Sequence, residues 1–359
     1  MGDLTSIITE SYNFVTLPQN QEKKMTVKET VLRELKNADD FISGEELAER
    51  CHVTRASVWK AVKKIQDEGA EILAVNNRGY KLVNEDFYSK SEIEKFLRQK
   101  NASDFPRVDF YEQIDSTNTQ AKRLLLEKNC HELHKTVVVA ASQTAGKGRL
   151  GRHFYSPAKT GIYFSIIFAP QNGFDTATLT AHAAVGICRA IKNTFGIETK
   201  IKWVNDIFLN DSKVCGILTE GTANLETGKI DAAIIGIGIN IKTSSEIPEE
   251  ILKTAGSILS DGKSYNRSAF LAECITEVLK ILEGDEKSKK DSIKEYRGRS
   301  NLIGKEITVT PVINVEKGKY KCRVKDISDD AKLVVQTQDG KILYLDSGEV
   351  SLHQESCQN

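Results

Sequence analysis

The stretch SQTAGKGRLGRHFYSPAKTGIYFS, residues 142–165, joins a cationic, glycine-rich segment to a β-branched and aromatic run. The run predicts a buried strand, and the segment before it predicts a loop. Gly146 and Gly148 allow backbone amides to converge on an anion. Full positive charges stand on the same short arc, at Lys147, Arg149 and Arg152. The loop therefore suits a ligand such as a nucleotide phosphate, the alternative being a solvated turn.

The segments on either side of this loop alternate between strand and helix patterns. Before it stand the strand RVDFYEQI, a helix from Asn118 to Lys128 and the strand KTVVVAA. After it come the strand GIYFSIIFA and an apolar helix from Thr176 to Phe195. Four more strands follow, TKIKW, DIFLN, KVCGILTE and KIDAAIIGIGINI, with NDSK as a turn. This order predicts a mixed sheet with helices packed against it, over residues 107–300.

The C-terminal segment is predicted to contain short, closely spaced strands. From Leu302 the strands are KEITVTPV, YKCRVKDI, KLVVQT and KILYLD, separated by glycine or aspartate turns. Short strands at regular spacing predict a small all-β barrel over residues 301–355.

The N-terminal segment has helical periodicity. Val31, Leu32 and Leu35 mark a first helix, and Ser43 and Thr54 are expected N-caps of two more. The strands around NNRG then form a hairpin, since asparagine and glycine tolerate positive φ. The pattern predicts a winged helix-turn-helix over residues 26–85. A disordered leader, 1–25, is expected before it, and a linker with a short helix, 86–106, after it.

Positive charge is concentrated on the third predicted helix. It carries no acidic residue between Thr54 and Gln66 and would enter the major groove of DNA. The expected DNA contacts are Arg55, Lys60, Lys63 and Lys64, with Arg78 in the hairpin. The alternative is a solvated basic face on a module that serves only as a lid or for dimerisation.

Composition excludes several classes of protein. The chain has 359 residues, 40% of them hydrophobic, and its 50 basic residues balance 50 acidic ones. Two or three domains are expected, and the chain as a whole is no polycation. Seven scattered cysteines without a C-x-x-C pair indicate neither a disulfide framework nor a zinc site, and no metal ligands of the protein are expected. With no membrane-spanning run or signal segment, the expected location is the cytoplasm.

Three further motifs cluster polar groups at predicted strand or helix ends. They are KWVNDI from Lys202, GIGIN ending at Asn240, and DSTN from Asp115 to Asn118. The lysine, amide and carboxylate of KWVNDI rarely stand together in a strand without a partner. The glycines of GIGIN permit close approach of a ligand. The alternatives are a strand-end turn, a β-bulge and simple helix capping, in that order.

Taken together and in this order, the motifs resemble the bacterial biotin protein ligase family, whose bifunctional members are biotin operon repressors. The family shows S-T-N, G-R-G-R-x-G-R, K-W-P-N-D and G-x-G-I-N, with a winged helix-turn-helix in front and a small β-barrel behind. The resemblance covers residues from about 26 to 352. It implies an α+β chain with an N-terminal winged helix-turn-helix, a central mixed-sheet biotin/lipoate-ligase-like catalytic domain and a C-terminal SH3-like β-barrel.

The resemblance implies roles for individual residues. At the biotin ureido ring and nearby walls it places Ser116, Thr117, Asn118 and Gln143. Over the biotin carboxylate and the α-phosphate it places Lys147, Gly148 and Arg149, with Arg152 in the same loop. Lys202 would bond the carboxylate or acyl-phosphate, and Asn240 would contact adenine. Lys202, Arg149 and Asp206 would act in catalysis, Asp206 by orienting or deprotonating the acceptor amine.

Two positions depart from the family pattern. Lys147 replaces the usual arginine, which keeps the charge but loses a bidentate fork. Val204 replaces the usual proline, which is expected to loosen the backbone around Asn205.

The implied reaction is ATP-dependent biotinylation. Biotin and ATP, accompanied by Mg²⁺, give biotinyl-5'-AMP and diphosphate. A lysine of the biotin carboxyl carrier protein of acetyl-CoA carboxylase then takes the biotin, and AMP leaves. A homodimer on operator DNA would repress biotin genes. The rival hypotheses are a ligand-sensing transcription factor with weak catalysis and a lipoate ligase-like enzyme, whose R-R-x-x-G-G-G-type motif is absent.

Overall fold

A computed structural model describes most of the chain. The described residues are 25–67, 70–84, 86, 88–101, 104–171, 173–223, 230–243, 255–259, 265–311, 318–346 and 349–352. They form two compact units, the first reaching residue 67 and including Ile72–Val83, the second running from Asn84 onward. The predicted leader lies outside the described residues except for Met25.

The first unit has the predicted order of three helices and a hairpin. Its elements are α1 (Val27–Asn37), α2 (Gly44–Arg50), α3 (Arg55–Asp67), β1 (Glu71–Val75) and β2 (Gly79–Asn84). Ser43 and Thr54 accept hydrogen bonds from backbone amides three residues on, as expected of N-caps. Gly79 has φ of 100°, and a Cβ there would lie 2.1 Å from the Ile42 carbonyl oxygen, so the hairpin requires glycine. The predicted winged helix-turn-helix is confirmed.

The second unit begins with a large sheet and its helices. Its elements are α4 (Lys90–Lys100), β3 (Val108–Ile114), α5 (Thr117–Glu127), β4 (Val137–Gln143), β5 (Gly161–Phe168), α6 (Leu179–Phe195), β6 (Lys200–Lys202), β7 (Asp206–Leu209), β8 (Ser212–Ala223), β9 (Ile230–Asn240), α7 (Arg267–Leu282) and α8 (Glu286–Gly298). The strand order is β3-β4-β5-β9-β8-β7-β6. Strands β3 and β4 are parallel and the other neighbours antiparallel, so the predicted mixed sheet is confirmed.

The core of this unit lies between the sheet and its helices. Every residue of β5 is buried, and so are eight consecutive residues of β9. Helix α6 packs on α7 and α8, while α5 packs on the opposite face against β4, β5 and β9. The central strands are therefore apolar on both faces, which explains their continuous hydrophobic runs.

The predicted linker is part of the second unit. Helix α4 packs against α7 through buried Ile93 and Leu97, because the short predicted helix has an apolar stripe. Asp86 accepts hydrogen bonds from the backbone N–H (2.9 Å) and the Nε–H (2.5 Å) of Arg267. Both side chains are buried, and the guanidinium lies 4.4 Å from the Tyr88 ring centroid. A buried ion pair thus fixes the segment just after the hairpin.

The C-terminal part forms a five-stranded antiparallel sheet. Its strands are β10 (Glu306–Thr310), β11 (Tyr320–Ile327), β12 (Leu333–Thr337), β13 (Ile342–Leu345) and β14 (Glu349–Leu352), in the order β13-β12-β11-β10-β14. The first four match the predicted strands. The sequence analysis missed the last strand, β14. Residues 353–355 of the predicted domain lie outside the described residues.

None of the helices described is both long and apolar enough to cross a membrane.

Candidate active site

The start of helix α5 and the end of strand β4 form one hydrogen-bonded wall. Ser116, Thr117 and Asn118 are buried there. The Ser116 side chain makes no capping hydrogen bond, so helix capping does not account for it. The backbone N–H and the hydroxyl of Thr117 both donate to Oε1 of Gln143, over 2.8 and 3.2 Å.

Asn118 is held from three sides. Its Nδ2 donates to Oε2 of Glu220 over 2.8 Å, and its Oδ1 accepts from the Ser165 hydroxyl over 2.6 Å. A Cβ on Gly236 would lie 2.0 Å from Oδ1 of Asn118. Gly236 therefore has to be glycine because the asparagine side chain occupies the space above it, rather than because of a β-bulge.

Glu220 is an acidic residue at this wall that sequence analysis missed. Lys122 donates to Oε1 of Glu220 over 2.7 Å, so the carboxylate joins Lys122 to Asn118. Burial acts to raise the pKa of Glu220, but hydrogen bonds from Lys122 and Asn118 lower it, and the net shift is downward. The carboxylate is therefore ionised and fixes which end of the Asn118 amide faces the sheet.

The cationic loop is a narrow hairpin. The Gly148 N–H donates to the Arg152 carbonyl over 2.7 Å, and the Phe154 N–H donates to the Gly146 carbonyl over 2.9 Å. The amide of Gly148 is thus used within the loop, which corrects the expectation that it contributes to an anion-binding nest. The loop presents side-chain cations to the cavities on either side of it.

A first cavity brings most of the predicted ligand residues together. It is lined by the α5 start, Gln143, the loop and the backbones of β8 and β9. The lining residues are Ser116, Thr117, Asn118, Gln143, Lys147, Gly148, Arg149, Phe154, Asn205, Lys213, Gly216, Ile217, Leu218, Gly236, Ile237 and Gly238. Ser116, Thr117, Asn118 and Gln143 supply uncharged hydrogen-bonding groups to this lining, and Lys147, Arg149 and Lys213 supply positive charge.

A second cavity adjoins the first and contains the remaining catalytic candidates. It extends to the C-terminal part of the chain, which contributes Thr310, Lys319 and Val350. The other lining residues are Gly148, Arg149, Arg152, His153, Phe154, Lys202, Trp203, Asn205, Asp206 and Lys213. Lys202 and Asp206 are directly opposite each other in the β6–β7 pair. The concentration of cations suits an extended polyanion.

Lys213 is the most informative residue that sequence analysis missed. It lines both cavities, and its Nζ lies 2.7 Å from Oδ1 of Asp206. Lys202 lines only the second of these cavities, with its Nζ 5.8 Å from the Phe208 ring centroid. The sequence showed Lys213 only as the last residue of a turn, NDSK, with no sign that its side chain faces the site.

The turn at Val204 is well held despite the absence of proline. The Tyr296 hydroxyl donates to the Val204 carbonyl over 2.9 Å. Asn205 accepts at its carbonyl from the Ile217 N–H and donates through Nδ2 to the Ile217 carbonyl. Arg149 donates to Oδ1 of Asn205 over 3.3 Å. The expected loosening of the backbone is therefore offset by hydrogen bonds.

Asn240 lies apart from the other candidates. It ends β9, two residues beyond Gly238, and is not among the residues that line either cavity. The Asn240 carbonyl accepts from the Ile258 N–H over 3.1 Å. The proposed adenine contact thus concerns the rim beyond the first cavity.

Within the part of the chain that is described, no three His, Cys, Asp or Glu side chains are grouped to hold a metal ion.

Comparison with known proteins agrees with this architecture. Residues 110–240 match the Biotin/lipoate A/B protein ligase family, residues 27–81 an HTH domain and residues 302–353 the Biotin protein ligase C terminal domain. The bifunctional ligase/repressor BirA of Bacillus spizizenii is 31% identical over 309 residues, covering 84% of this chain and 91% of that protein. BirA of Escherichia coli is 28% identical over 319 residues, covering 87% and 93%.

A solved structure shares the fold. The biotin protein ligase from Aquifex aeolicus, in complex with biotin and ATP, aligns with a TM-score of 0.56 at 28% identity, over 70% of this chain and 100% of that chain. The three family matches follow one another in the order of the structural elements. The chain therefore belongs to the biotin protein ligases, in their bifunctional ligase/repressor form.

Proposed function

We propose that this chain activates biotin with ATP, transfers it to a carrier lysine and represses transcription from operator DNA. The observation that carries the ligase proposal is the first cavity, whose lining combines uncharged hydrogen-bonding side chains with three cations. Biotin has the matching groups, a neutral ureido ring and a carboxylate. Thr117, Asn118 and Gln143 would surround the ring, while Lys147, Arg149 and Lys213 would hold the carboxylate.

In the first half-reaction a biotin carboxylate oxygen attacks the α-phosphorus of ATP. A P–O bond forms to the carboxylate, the bond to the β-phosphate breaks, and diphosphate leaves. Bringing two anions together requires preorganised positive charge, which Arg149 and Lys213 supply at the junction of the cavities. Lys202, Arg152 and Lys319 would hold the phosphates in the second cavity. Asn240 at the rim remains our candidate for the adenine contact.

Mg²⁺ would enter with the triphosphate. The described residues offer no three-ligand cluster for it, which fits an ion that takes most of its oxygens from phosphate and water, with Asp206 as the available carboxylate. The ion would neutralise charge on the leaving diphosphate.

In the second half-reaction the ε-amine of the acceptor lysine attacks the acyl carbon of biotinyl-5'-AMP. A C–N bond forms, the C–O bond to AMP breaks, and the amine loses a proton. Asp206 would orient this amine and accept the proton once Lys213 has turned to the phosphate. The loop would meanwhile exclude water from the labile anhydride. We propose the biotin carboxyl carrier domain of acetyl-CoA carboxylase as the acceptor and the cytoplasm as the location.

The first unit supports the DNA-binding part of the proposal. Arg55, Lys60, Lys63 and Lys64 are all exposed on α3. Arg78 is exposed too, but it forms an ion pair with Asp40 over 3.3 Å, so it is a weaker candidate than the residues on α3. Two half-sites on a palindrome would be read by a homodimer, with an edge of the large sheet as the pairing surface.

The deciding experiment uses the full chain with ATP, Mg²⁺ and labelled biotin. An acid-labile biotinyl adenylate and stoichiometric diphosphate are expected. Supplying lipoate instead tests the lipoate ligase alternative, which the C-terminal domain match disfavours. Binding of biotin without diphosphate release would instead support a ligand-sensing transcription factor.

A further inference from the structure

A tryptophan lies on the exposed face of helix α3. The Trp59 side chain is 55% exposed, although tryptophan is usually largely buried in folded proteins. The opposite face of α3 is buried and carries Val58, Ala61, Val62 and Ile65. The indole is therefore not needed for the core of the first unit.

Cations flank this ring along the helix. Lys63, one turn after Trp59, has its Nζ 5.4 Å from the ring centroid. Arg55 stands one turn before it, at the same i, i+4 spacing. Ala56, between them in sequence, is small and exposed. The surface is a flat apolar ring between positive charges.

The cations of the β1–β2 hairpin are engaged by neighbouring side chains. Asp40 pairs with Arg78 over 3.3 Å and with Lys81 over 3.0 Å. Arg78 also stacks on Phe41, 4.3 Å from its ring centroid. These contacts bind the cations of the hairpin to the body of the first unit. The surface on α3 is therefore the stronger candidate for reading DNA sequence.

Double-stranded DNA has the complementary chemistry. Its phosphates match Arg55 and Lys63, and the only methyl group on a base edge in the major groove belongs to thymine. We propose that Trp59 recognises thymine in the operator by packing its ring on the C5-methyl group, while the flanking cations hold phosphates. This inference rests on the proposed operator binding and adds a residue and a base to it.

The contact is distinguishable from a phosphate contact by its salt dependence. An uncharged indole releases no counterion, so Trp59→Ala should weaken binding without changing the slope of log K against log salt. Lys63→Met should weaken binding to every duplex and reduce that slope by about 0.9. Tyr344→Ala removes a similarly exposed aromatic ring, 62% exposed, from the C-terminal sheet and serves as the matched control.

The probe is a duplex enriched from a randomised pool by the full chain in the presence of biotin and ATP. Each thymine in it is then replaced in turn by uracil, which removes only the methyl group. At one or more positions the replacement should weaken binding by wild type about fourfold, the effect of exposing one methyl group. The Trp59→Ala variant should bind this uracil-substituted duplex as tightly as it binds the thymine duplex.

A second measurement uses fluorescence. The chain has two tryptophans, and Trp203 is only 4% exposed, so acrylamide should quench mainly Trp59. The enriched duplex should protect that emission.

The outcomes separate the two levels of the proposal. If wild type binds the duplex but no uracil position matters, or if Trp59→Ala retains the uracil effect, the thymine contact is wrong while operator binding stands. If no duplex is enriched, operator binding fails and this inference fails with it.

Discussion

The Nζ of Lys213 pairs with Oδ1 of Asp206 over 2.7 Å at the junction of the two cavities. In the proposed reaction this pair would hold a cation ready for an incoming carboxylate or phosphate. It would also keep the Asp206 carboxylate engaged until that anion arrives. Lys213 lines both cavities, and this leads to a kinetic prediction.

Replacing Lys213 or Lys202 by alanine should reduce adenylation on the order of 10² to 10³, the usual effect of removing one preorganised donor. The two variants should differ in KM. Because Lys213 lines the first cavity, Lys213→Ala should raise KM for biotin as well as for ATP, whereas Lys202→Ala should affect ATP alone. The rate of diphosphate release, measured at varied biotin and ATP concentrations, gives the rate and both KM values for each variant. Exposed Lys200 on β6 supplies the control, Lys200→Ala, and a Lys202→Ala rate within a few-fold of this control would contradict the assignment.

Arg149→Gly should release the adenylate prematurely. Arg149 lines both cavities and donates to Asn205, so its loss removes the charge that we propose to hold the acyl-phosphate and a hydrogen bond from the loop. Free biotinyl-5'-AMP should then label lysines of serum albumin added to the reaction. Lys159→Gly, in the same loop but outside both cavities, is the control. Labelling no higher than wild type would show that another group retains the intermediate.

Gly236→Ala should block the part of the first cavity that Asn118 lines. Its Cβ would meet Asn118 at 2.0 Å, so the asparagine must move away from Ser165 and Glu220. Biotin affinity, measured by calorimetry, should fall at least tenfold, while the salt dependence of DNA binding should not change. Gly298→Ala, where a Cβ meets nothing within 4 Å, controls for the substitution itself. Undiminished affinity would place the ureido ring elsewhere.

Truncating the chain just before or just after Asp86 should give proteins of very different stability. Removing residues 1–84 should abolish operator binding and leave adenylation intact. Removing residues 1–87 also deletes the partner of the buried Arg267 guanidinium, which should cost about 3 to 5 kcal/mol of unfolding free energy. Denaturant unfolding measures the difference. Arg267→Leu in the shorter protein should restore part of the lost unfolding free energy, because it removes the unpaired buried charge. Equal stability of the two truncated proteins would show that the Asp86–Arg267 pair does not anchor this segment.

His182 should make the second unit sensitive to mild acid. It is 3% exposed, its Nδ1 lies 2.5 Å from the Ser292 hydroxyl, and burial lowers its pKa to about 4. An unfolded histidine binds a proton near pH 6.5, so unfolding gains a proton and stability falls as the pH drops from about 6.5 to 4. The loss should total about 3 kcal/mol. His182→Gln should show a shallower decline, and parallel curves would exclude this origin.

The main elements of the fold were predictable because their signals are local. The helical stripe of α3, the continuous apolar run of β5 and the glycine of the hairpin each follow from neighbouring residues. Packing of α4 was not predictable, since a polar segment with one apolar stripe looks the same on a linker and on a core helix. The Asp86–Arg267 pair joins residues 181 positions apart and leaves no pattern in either segment.

Only part of the site could be predicted, because only local sequence signals can be read from the chain. Motifs identified Thr117, Asn118, Gln143 and Arg149, which the structure brings to one cavity. Lys213 and Glu220 were missed because their roles depend on which face of β8 each side chain occupies. The Gly148 amide was misjudged, since a glycine pattern does not show whether the loop closes on itself. These properties depend on tertiary contacts.

The wall that Thr310, Lys319 and Val350 contribute to the second cavity has a consequence for biosynthesis. These residues emerge from the ribosome after the whole large sheet, so a nascent chain can form the first cavity before the second is complete. The indole N–H of Trp203, beside the catalytic lysine candidate Lys202, likewise gains its acceptor, the carbonyl of Ala331, only late in synthesis. Synthesis therefore completes the two cavities in a fixed order, and we expect the proposed adenylation only after the C-terminal sheet has been made.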